Sequence, residues 1–374
     1  MKTNKFLLLS FALLTLLFTG CTKNDETSVT EDTPFTFGES VQKAFIGKIV
    51  DTHKNPIANV SVSINGLTVV TNADGEFSFN NVTVKERFAY FTAEKSGFIK
   101  GSRVVYPNEG LTSVYIMMMT ENVTATINSG QTAVVSLENQ TKVKFDGAFM
   151  TEAGVAYNGA VKVIMNHLDP ADPNVFYKMP GNLIAINKNG EIKGLQTYGM
   201  LDVVLKGNNN QRLQIATGHT AEIIMPIAST QTTTAPATMA LWHFNEDNGL
   251  WEEDGFSTRV GNNYVGTVSH FSCWNNDYAY EASVLTVIAT NFDGTPVKGV
   301  RITLTRMSGS TGDVLIDLGT TNTNGRLSAN TPKNEQLTFK AYTPDGTLIT
   351  SQTLPATTAN ARTIYVSIPA PNKN

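Results

Sequence analysis

The feature that most constrains this chain is a period of two. Val60-Ser61-Val62-Ser63-Ile64 alternates apolar and polar side chains. Phe45-Ile46-Gly47-Lys48-Ile49-Val50 and Glu76-Phe77-Ser78-Phe79 follow the same rule. Successive side chains of an extended strand point to opposite faces, so such runs make half-buried strands. The i, i+3, i+4 spacing of a buried helix face is hard to find. Turn chemistry separates the runs: Asp51 to Pro56, Asn72-Ala73-Asp74-Gly75, Gly207-Asn208-Asn209-Asn210 and Asp247-Asn248-Gly249. Pro fixes φ there, while Asn and Gly accept the positive φ that tight hairpins require. The chain is therefore expected to be all-β, a tandem of β-sandwich domains.

The N-terminus is different. Lys2 and Lys5 precede an apolar run from Phe6 to Phe18, too short to span a bilayer comfortably. This is the layout of a secretory signal peptide, residues 1–20. Leu17-Phe18-Thr19-Gly20-Cys21 resembles the bacterial lipobox, with Phe18 in place of a smaller aliphatic residue. That resemblance implies cleavage before Cys21 and acylation, palmitate included, of the new N-terminal cysteine. Several buried acyl chains at ~0.8 kcal/mol per CH₂ hold a protein firmly. Thr22-Lys23-Asn24-Asp25-Glu26 resembles the export signal of Gram-negative surface lipoproteins, which implies an outer-membrane anchor facing the cell exterior. Residues 21–40 are polar and Thr-rich, and are expected to form a disordered tether. Fully extended, about 20 residues reach ~60–70 Å.

Residues 41–120 form the first expected domain. Gly47, then Asn55-Pro56-Ile57-Ala58-Asn59-Val60-Ser61-Val62, then Thr71-Asn72-Ala73-Asp74-Gly75-Glu76-Phe77 resembles the carboxypeptidase regulatory-like domain. That family implies a transthyretin-like sandwich of about seven strands, and it carries no catalytic residues. The pattern recurs near the C-terminus. Asp293-Gly294-Thr295-Pro296-Val297-Lys298-Gly299-Val300 parallels residues 53–60, and Thr321-Asn322-Thr323-Asn324-Gly325-Arg326-Leu327 parallels residues 71–77. Residues 281–374 are thus expected to form a second sandwich, regulatory-like or Ig-like.

The middle region, 121–280, holds all three tryptophans, Trp242, Trp251 and Trp274. Leu241-Trp242-His243-Phe244, Asn248-Gly249-Leu250-Trp251 and Val268-Ser269-His270-Phe271-Ser272-Cys273-Trp274 resemble the extracellular β-rich region of the cartilage intermediate layer protein family. The resemblance implies an extracellular β-sandwich and no mapped chemistry. Trp251, Tyr278 and Trp242 are the candidate ligand-binding residues, because exposed aromatic rings stack on sugar faces. Core packing is the competing role: Trp242 and Phe244 share one strand face.

Composition narrows the function. Without Lys2 and Lys5 the chain carries 26 basic against 32 acidic residues, a formal charge of −6. It lacks the basic footprint of a nucleic-acid binder. With Cys21 acylated, Cys273 is the one remaining thiol, so neither an intramolecular disulfide nor a Cys-based metal site can form. His243-Phe244-Asn245-Glu246 spells a fragment of a zinc-peptidase ligand pattern, but a hairpin turn at 245–249 explains it better. Asp74 with Asn72 lacks the spacing of a calcium loop. No catalytic residue, metal or cofactor is expected. The expected protein is a non-catalytic cell-envelope lipoprotein, a surface scaffold or adhesion module. Its partners are the membrane, through the lipid anchor, and a glycan or surface protein. Glycan capture for an uptake system, or service to a separate peptidase, are the alternatives.

Overall fold

The computed structural model describes residues 35–107, 110–308 and 312–368. The signal peptide, Cys21 and most of the expected tether lie outside the described residues. The chain is all-β, as the alternation demands. One helical turn, Val175–Lys178, is the exception among the described residues. Residues 35–40 are not free tether. Phe37 packs on Phe88 with ring centroids 4.6 Å apart, and the Arg87 N–H donates to the Phe37 carbonyl at 2.9 Å. Two aromatic residues at 35 and 37 give this segment apolar area to bury.

The first sandwich packs two sheets. Ser40–Val50 pairs antiparallel with Glu76–Lys85 and parallel with Leu111–Met117. The facing sheet runs Leu67–Val70, Ser61–Ile64, Ala89–Glu94, Gly101–Val105. Inward residues of the two sheets, Phe45, Ile49, Val62, Phe77, Phe79, Phe91 and Ile116 among them, form one core. The alternating faces supply it: in Glu76–Lys85 the buried positions are Phe77, Phe79, Val82 and Val84.

The C-terminal sandwich repeats this topology strand for strand. The second half of Cys273–Asn291 pairs antiparallel with Arg326–Pro332 and parallel with Ala361–Ile368. Its facing sheet runs Gly312–Thr320, Arg301–Ser308, Leu337–Tyr342, Leu348–Leu354. The repeat extends to single atoms. Thr71 Oγ1 donates to the Ile57 carbonyl at 2.7 Å and accepts from the Val60 N–H at 2.9 Å. Thr321 Oγ1 does the same with Val297 and Val300, at 2.7 and 3.0 Å. Asn72 Oδ1 accepts from the N–H groups of Asp74 and Glu76, and Asn322 Oδ1 from those of Asn324 and Arg326.

Between them lies a larger β domain built on the long strand Ile192–Lys206. That strand pairs with Ala160–Leu168 on one side and with Cys273–Asn291 on the other. Cys273–Asn291 is continuous through the junction: Glu281 still pairs with Lys193, while Ala282 pairs with Pro332. Arg306 locks the joint. It bonds Glu335 through Nε and Nη2 at 2.7 and 2.6 Å, donates to Gln196 Oε1 at 2.8 Å and lies 5.0 Å over the Tyr278 ring.

Candidate functional site

The middle domain hides its tryptophans. Trp242 and Trp251 are 1% and 0% exposed, and Trp274 is fully buried. Trp242, Phe244 and Trp251 pack in one cluster with Met200, Leu168 and Cys273. The shared face of Trp242 and Phe244 points into that cluster, so period two holds but leads inward. Neither ring of the expected pair, Trp242 and Trp251, is open to a ligand in this arrangement. Tyr278 is 44% exposed, and its ring is covered on one side by Arg306.

His243 and Glu246 do not converge. His243 stacks edge-on to His270 at 4.7 Å and lies 3.7 Å from Glu252 through Nε2. Glu246 turns to the opposite side and meets Lys100 and Arg212 at 3.3 and 3.4 Å. His243 is a strand residue, whereas Glu246 lies in the turn that follows the strand. Burial lowers the pKa of both histidines. Among the described residues no group of three or more His, Cys, Asp or Glu could hold a metal ion.

The site that the structure does build lies between the first sandwich and the middle domain. It is a cavity of about 490 Å³. Sequence reasoning missed it, because its walls come from strands far apart in the chain. The row Asn166, Asp202, Cys273 runs across three adjacent strands in direct register. Directly opposed residues of a sheet share a face, and here that face looks toward the first sandwich. Asp202 and Cys273 line the cavity with Leu168 and Val204, while Tyr90, Lys100 and Met119 of the first sandwich form the facing wall.

The two domains are clamped around this space. Tyr90 Oη donates to the Glu246 carbonyl at 2.9 Å. Ser102 Oγ accepts from the Gly181 N–H at 3.1 Å, and the Val104 N–H donates to the Gly181 carbonyl at 3.1 Å. Arg103 donates to the Phe176 carbonyl. The Tyr90 ring rests on the 245–249 turn, where a Cβ on Gly249 would come 2.4 Å from it. Ile99 and Met119 pack against Ile164 and Val204.

Charges at the cavity are nearly all paired. Lys206 sits 2.6 Å from both oxygens of Glu121. Lys100 reaches Glu94 at 3.4 Å as well as Glu246, and Lys178 pairs with Asp172. Asp202 and Lys95 are the exceptions: Lys95 donates to the Ala58 carbonyl at 2.5 Å. Asp202 Oδ2 is buried, as is Nδ2 of its cross-strand neighbour Asn166, whose side-chain amide supports the carboxylate as a hydrogen-bond donor. Burial pushes the Asp202 carboxyl up to about 7; the nearby Glu246 charge adds to this, while Arg212 and Asn166 oppose it. Burial also raises the Cys273 thiol well above its usual value, followed by the charges of Asp202, Asp277 and Glu246. A buried thiol of that kind stays protonated and unreactive.

The Asp202 shift has a consequence for stability. Its folded pKa lies above the ~3.9 of an unfolded aspartate, so between those values the folded state binds more protons. Stability contributed by this group is present at low pH and is lost as pH rises from about 4 through 7. Asp202→Asn is expected to remove that slope and to be more stable than wild type at pH 8, by a few kcal/mol at most. Urea melts at a series of pH values would show it, and parallel slopes for the two proteins would refute it.

No protein-family model matches the chain. It is similar to cartilage intermediate layer protein 2 of Homo sapiens, 30% identical over 118 residues, which is 31% of this chain and 10% of that protein. It is 31% identical over 129 residues to cartilage intermediate layer protein 1 of Mus musculus, covering 34% of this chain and 10% of that one. The matches thus span about a tenth of the length of these relatives. Among solved structures, the major pilin subunit BcpA of Bacillus cereus aligns over 88% of this chain and 99% of its own at 9% identity. Its TM-score of 0.17 is too low to carry an argument.

Proposed function

We propose that this protein is a non-catalytic binding module of the bacterial cell envelope, secreted and held by lipid on Cys21. The observation that carries the binding role is the cavity between the first sandwich and the middle domain. Lys100, Lys206 and Arg212 are neutralised in place, and the thiol is buried and protonated. Such walls suit recognition better than acid–base or nucleophilic chemistry. The regulatory-like pattern at 47–77, with its repeat at 293–327, fits a scaffold that presents this site. The acidic run after Lys23 supports an outer-membrane anchor facing outward. Glycan capture is the second reading, now favoured by the cavity and by exposed Tyr278 rather than by Trp242 and Trp251.

Metabolic labelling with an alkyne fatty acid tests the anchor. Wild type is expected to take up label and to fractionate with membranes. Cys21→Ser is expected to lose the label entirely. Protein held in membranes as an uncleaved precursor would be unlabelled and retain its signal peptide by mass. A wild type that takes up no label contradicts the proposal.

A further inference from the structure

We propose that the groove at the joint between the middle domain and the C-terminal sandwich binds an acidic saccharide unit, its ring stacked on Tyr278 and its carboxylate paired with Lys333. This rests on the glycan reading and names the site and the charge of the sugar. The groove has no lining residue in common with the cavity beneath the first sandwich.

The groove holds about 320 Å³, at the lower end of the range for small-ligand sites. Both domains wall it. Tyr278 and Glu281 come from the strand that runs through the joint, Lys193 from the middle domain, and Lys333, Asn334 and Glu335 from the turn after Arg326–Pro332. Ligand sites favour such domain junctions. Tyr278 is exposed here, while Tyr280 on the same strand face is buried. Arg306 lies over both rings, at 5.0 and 5.7 Å from their centroids. Arg306 is itself buried and held by Glu335 and Gln196. The Tyr278 ring is thus a supported platform, with little freedom left for a ligand to remove. The face of an aromatic ring is negative, and the C–H bonds on one face of a sugar ring are weakly positive.

Charge decides the kind of sugar. Both wall carboxylates already hold a cation: Glu281 pairs with Lys193, and Glu335 with Arg306. Lys193 also pairs with Glu191 at 3.0 Å. Lys333 differs. Its ammonium donates to the amide oxygen of Asn360, a neutral group, and no carboxylate among the described residues pairs with it. A ligand carboxylate finds one unneutralised cation in this wall, while a ligand cation finds no unclaimed acid. Hydrogen bonds to a charged partner are roughly twice as strong as neutral ones. The exposed side-chain amide of Asn334 both donates and accepts, which suits the hydroxyls around a sugar's edge.

The test titrates the signal-free Cys21→Ser chain with methyl glucuronide, methyl glucoside and acetate, followed by NMR at the backbone amides of Ala279, Glu281 and Asn334. Methyl glucuronide is expected to shift these amides saturably and to bind about tenfold more tightly than methyl glucoside or acetate. Tyr278→Ala is expected to weaken methyl glucuronide about fivefold or more. That variant also uncovers Arg306, so Lys333→Gln is the second arm. It is expected to bring methyl glucuronide down to the affinity of methyl glucoside and to leave methyl glucoside unchanged. Absence of saturable shifts with methyl glucuronide overturns the proposal. So does acetate or methyl glucoside binding as tightly, and so does an unchanged preference in Lys333→Gln. Saturable shifts at Ile99 and Met119 in place of the groove overturn the site while leaving a glycan-binding module standing. Fatty-acid labelling is independent of every one of these outcomes, so failure of the groove is distinct from failure of the envelope reading.

Discussion

Trp251→Ala should lower the stability of this protein by about 3–5 kcal/mol, the cost of removing a large buried aromatic ring. Trp251 is 0% exposed and meets Phe244 edge-on with centroids 5.3 Å apart. Its strand position pairs with Phe244 on one side and Ala185 on the other. The surrounding cluster cannot collapse freely, because Cys273, Met200 and Trp242 are fixed by strands on three sides. Urea unfolding followed through Trp242 and Trp274 would measure the loss as a lower midpoint at an unchanged slope. If Trp251→Ala lost sugar binding, unfolding would be the cause, since the ring faces no ligand. A stability loss below about 1 kcal/mol would mean that the ring is not in the core.

The second large effect falls on paired glycines. Gly75 and Gly325 close the same turn in the two sandwiches, with φ of +70° and +68°. A Cβ on Gly75 would lie 2.4 Å from the Ile49 carbonyl oxygen, and one on Gly325 would lie 2.2 Å from that of Ala289. Those carbonyls belong to central strands, and the strands are held to the turns in return. The Ile49 N–H donates to the Gly75 carbonyl at 2.8 Å, and the Ala289 N–H to the Gly325 carbonyl at 2.7 Å. Left-handed backbone costs a residue with a Cβ about 1–2 kcal/mol, and forcing backbone apart adds about 1–3 more. Gly75→Ala and Gly325→Ala should therefore each cost roughly 2–5 kcal/mol. Gly66 is the control: its φ is +80° but nothing lies within 4 Å of an added Cβ. Gly66→Ala should cost only the conformational part, about 1–2 kcal/mol. Chemical denaturation of the three variants decides the matter. Equal losses at all three positions would show that the close approach has no energetic weight.

Those two glycines show what was legible. Asn-x-Asp/Asn-Gly is a local signal, since Asn folds its side chain onto the next N–H groups and Gly supplies positive φ. The motif therefore revealed both the turn and the repeat before any contact was known. Its third use escaped notice: Asn187-Lys188-Asn189-Gly190-Glu191 makes the same turn, with Asn187 Oδ1 accepting from Asn189 and Glu191. There it opens the central strand of the middle domain, in a different topology. Another echo is an antiparallel bridge across a six-residue span, Val50 to Pro56, Met150 to Ala156 and Thr290 to Pro296.

The site was far less legible, for a physical reason. Period two says which side chains share a face, but not whether that face meets water or another domain. Trp242 and Trp251 were candidates for stacking only while the far side of their sheet was unknown. Asp202 is the one charged residue in the run Met200-Leu201-Asp202-Val203-Val204. Its real surroundings come from Glu246, 44 residues later, and from a domain that begins near residue 40. No local pattern encodes that meeting.

The binding role requires the first sandwich to be clamped over the middle domain. The direct measurement is the rate at which iodoacetamide modifies Cys273 in the folded, signal-free Cys21→Ser protein, where it is the sole thiol. Cys273 is 5% exposed beneath the clamp, with its thiol pKa raised. Modification is expected to be far slower than in urea, and faster when Tyr90→Ala removes the bond to Glu246 and the ring over the 245–249 turn. Modification of the folded Cys21→Ser protein as fast as the unfolded chain, unchanged by Tyr90→Ala, would contradict the clamp and the binding role built on it.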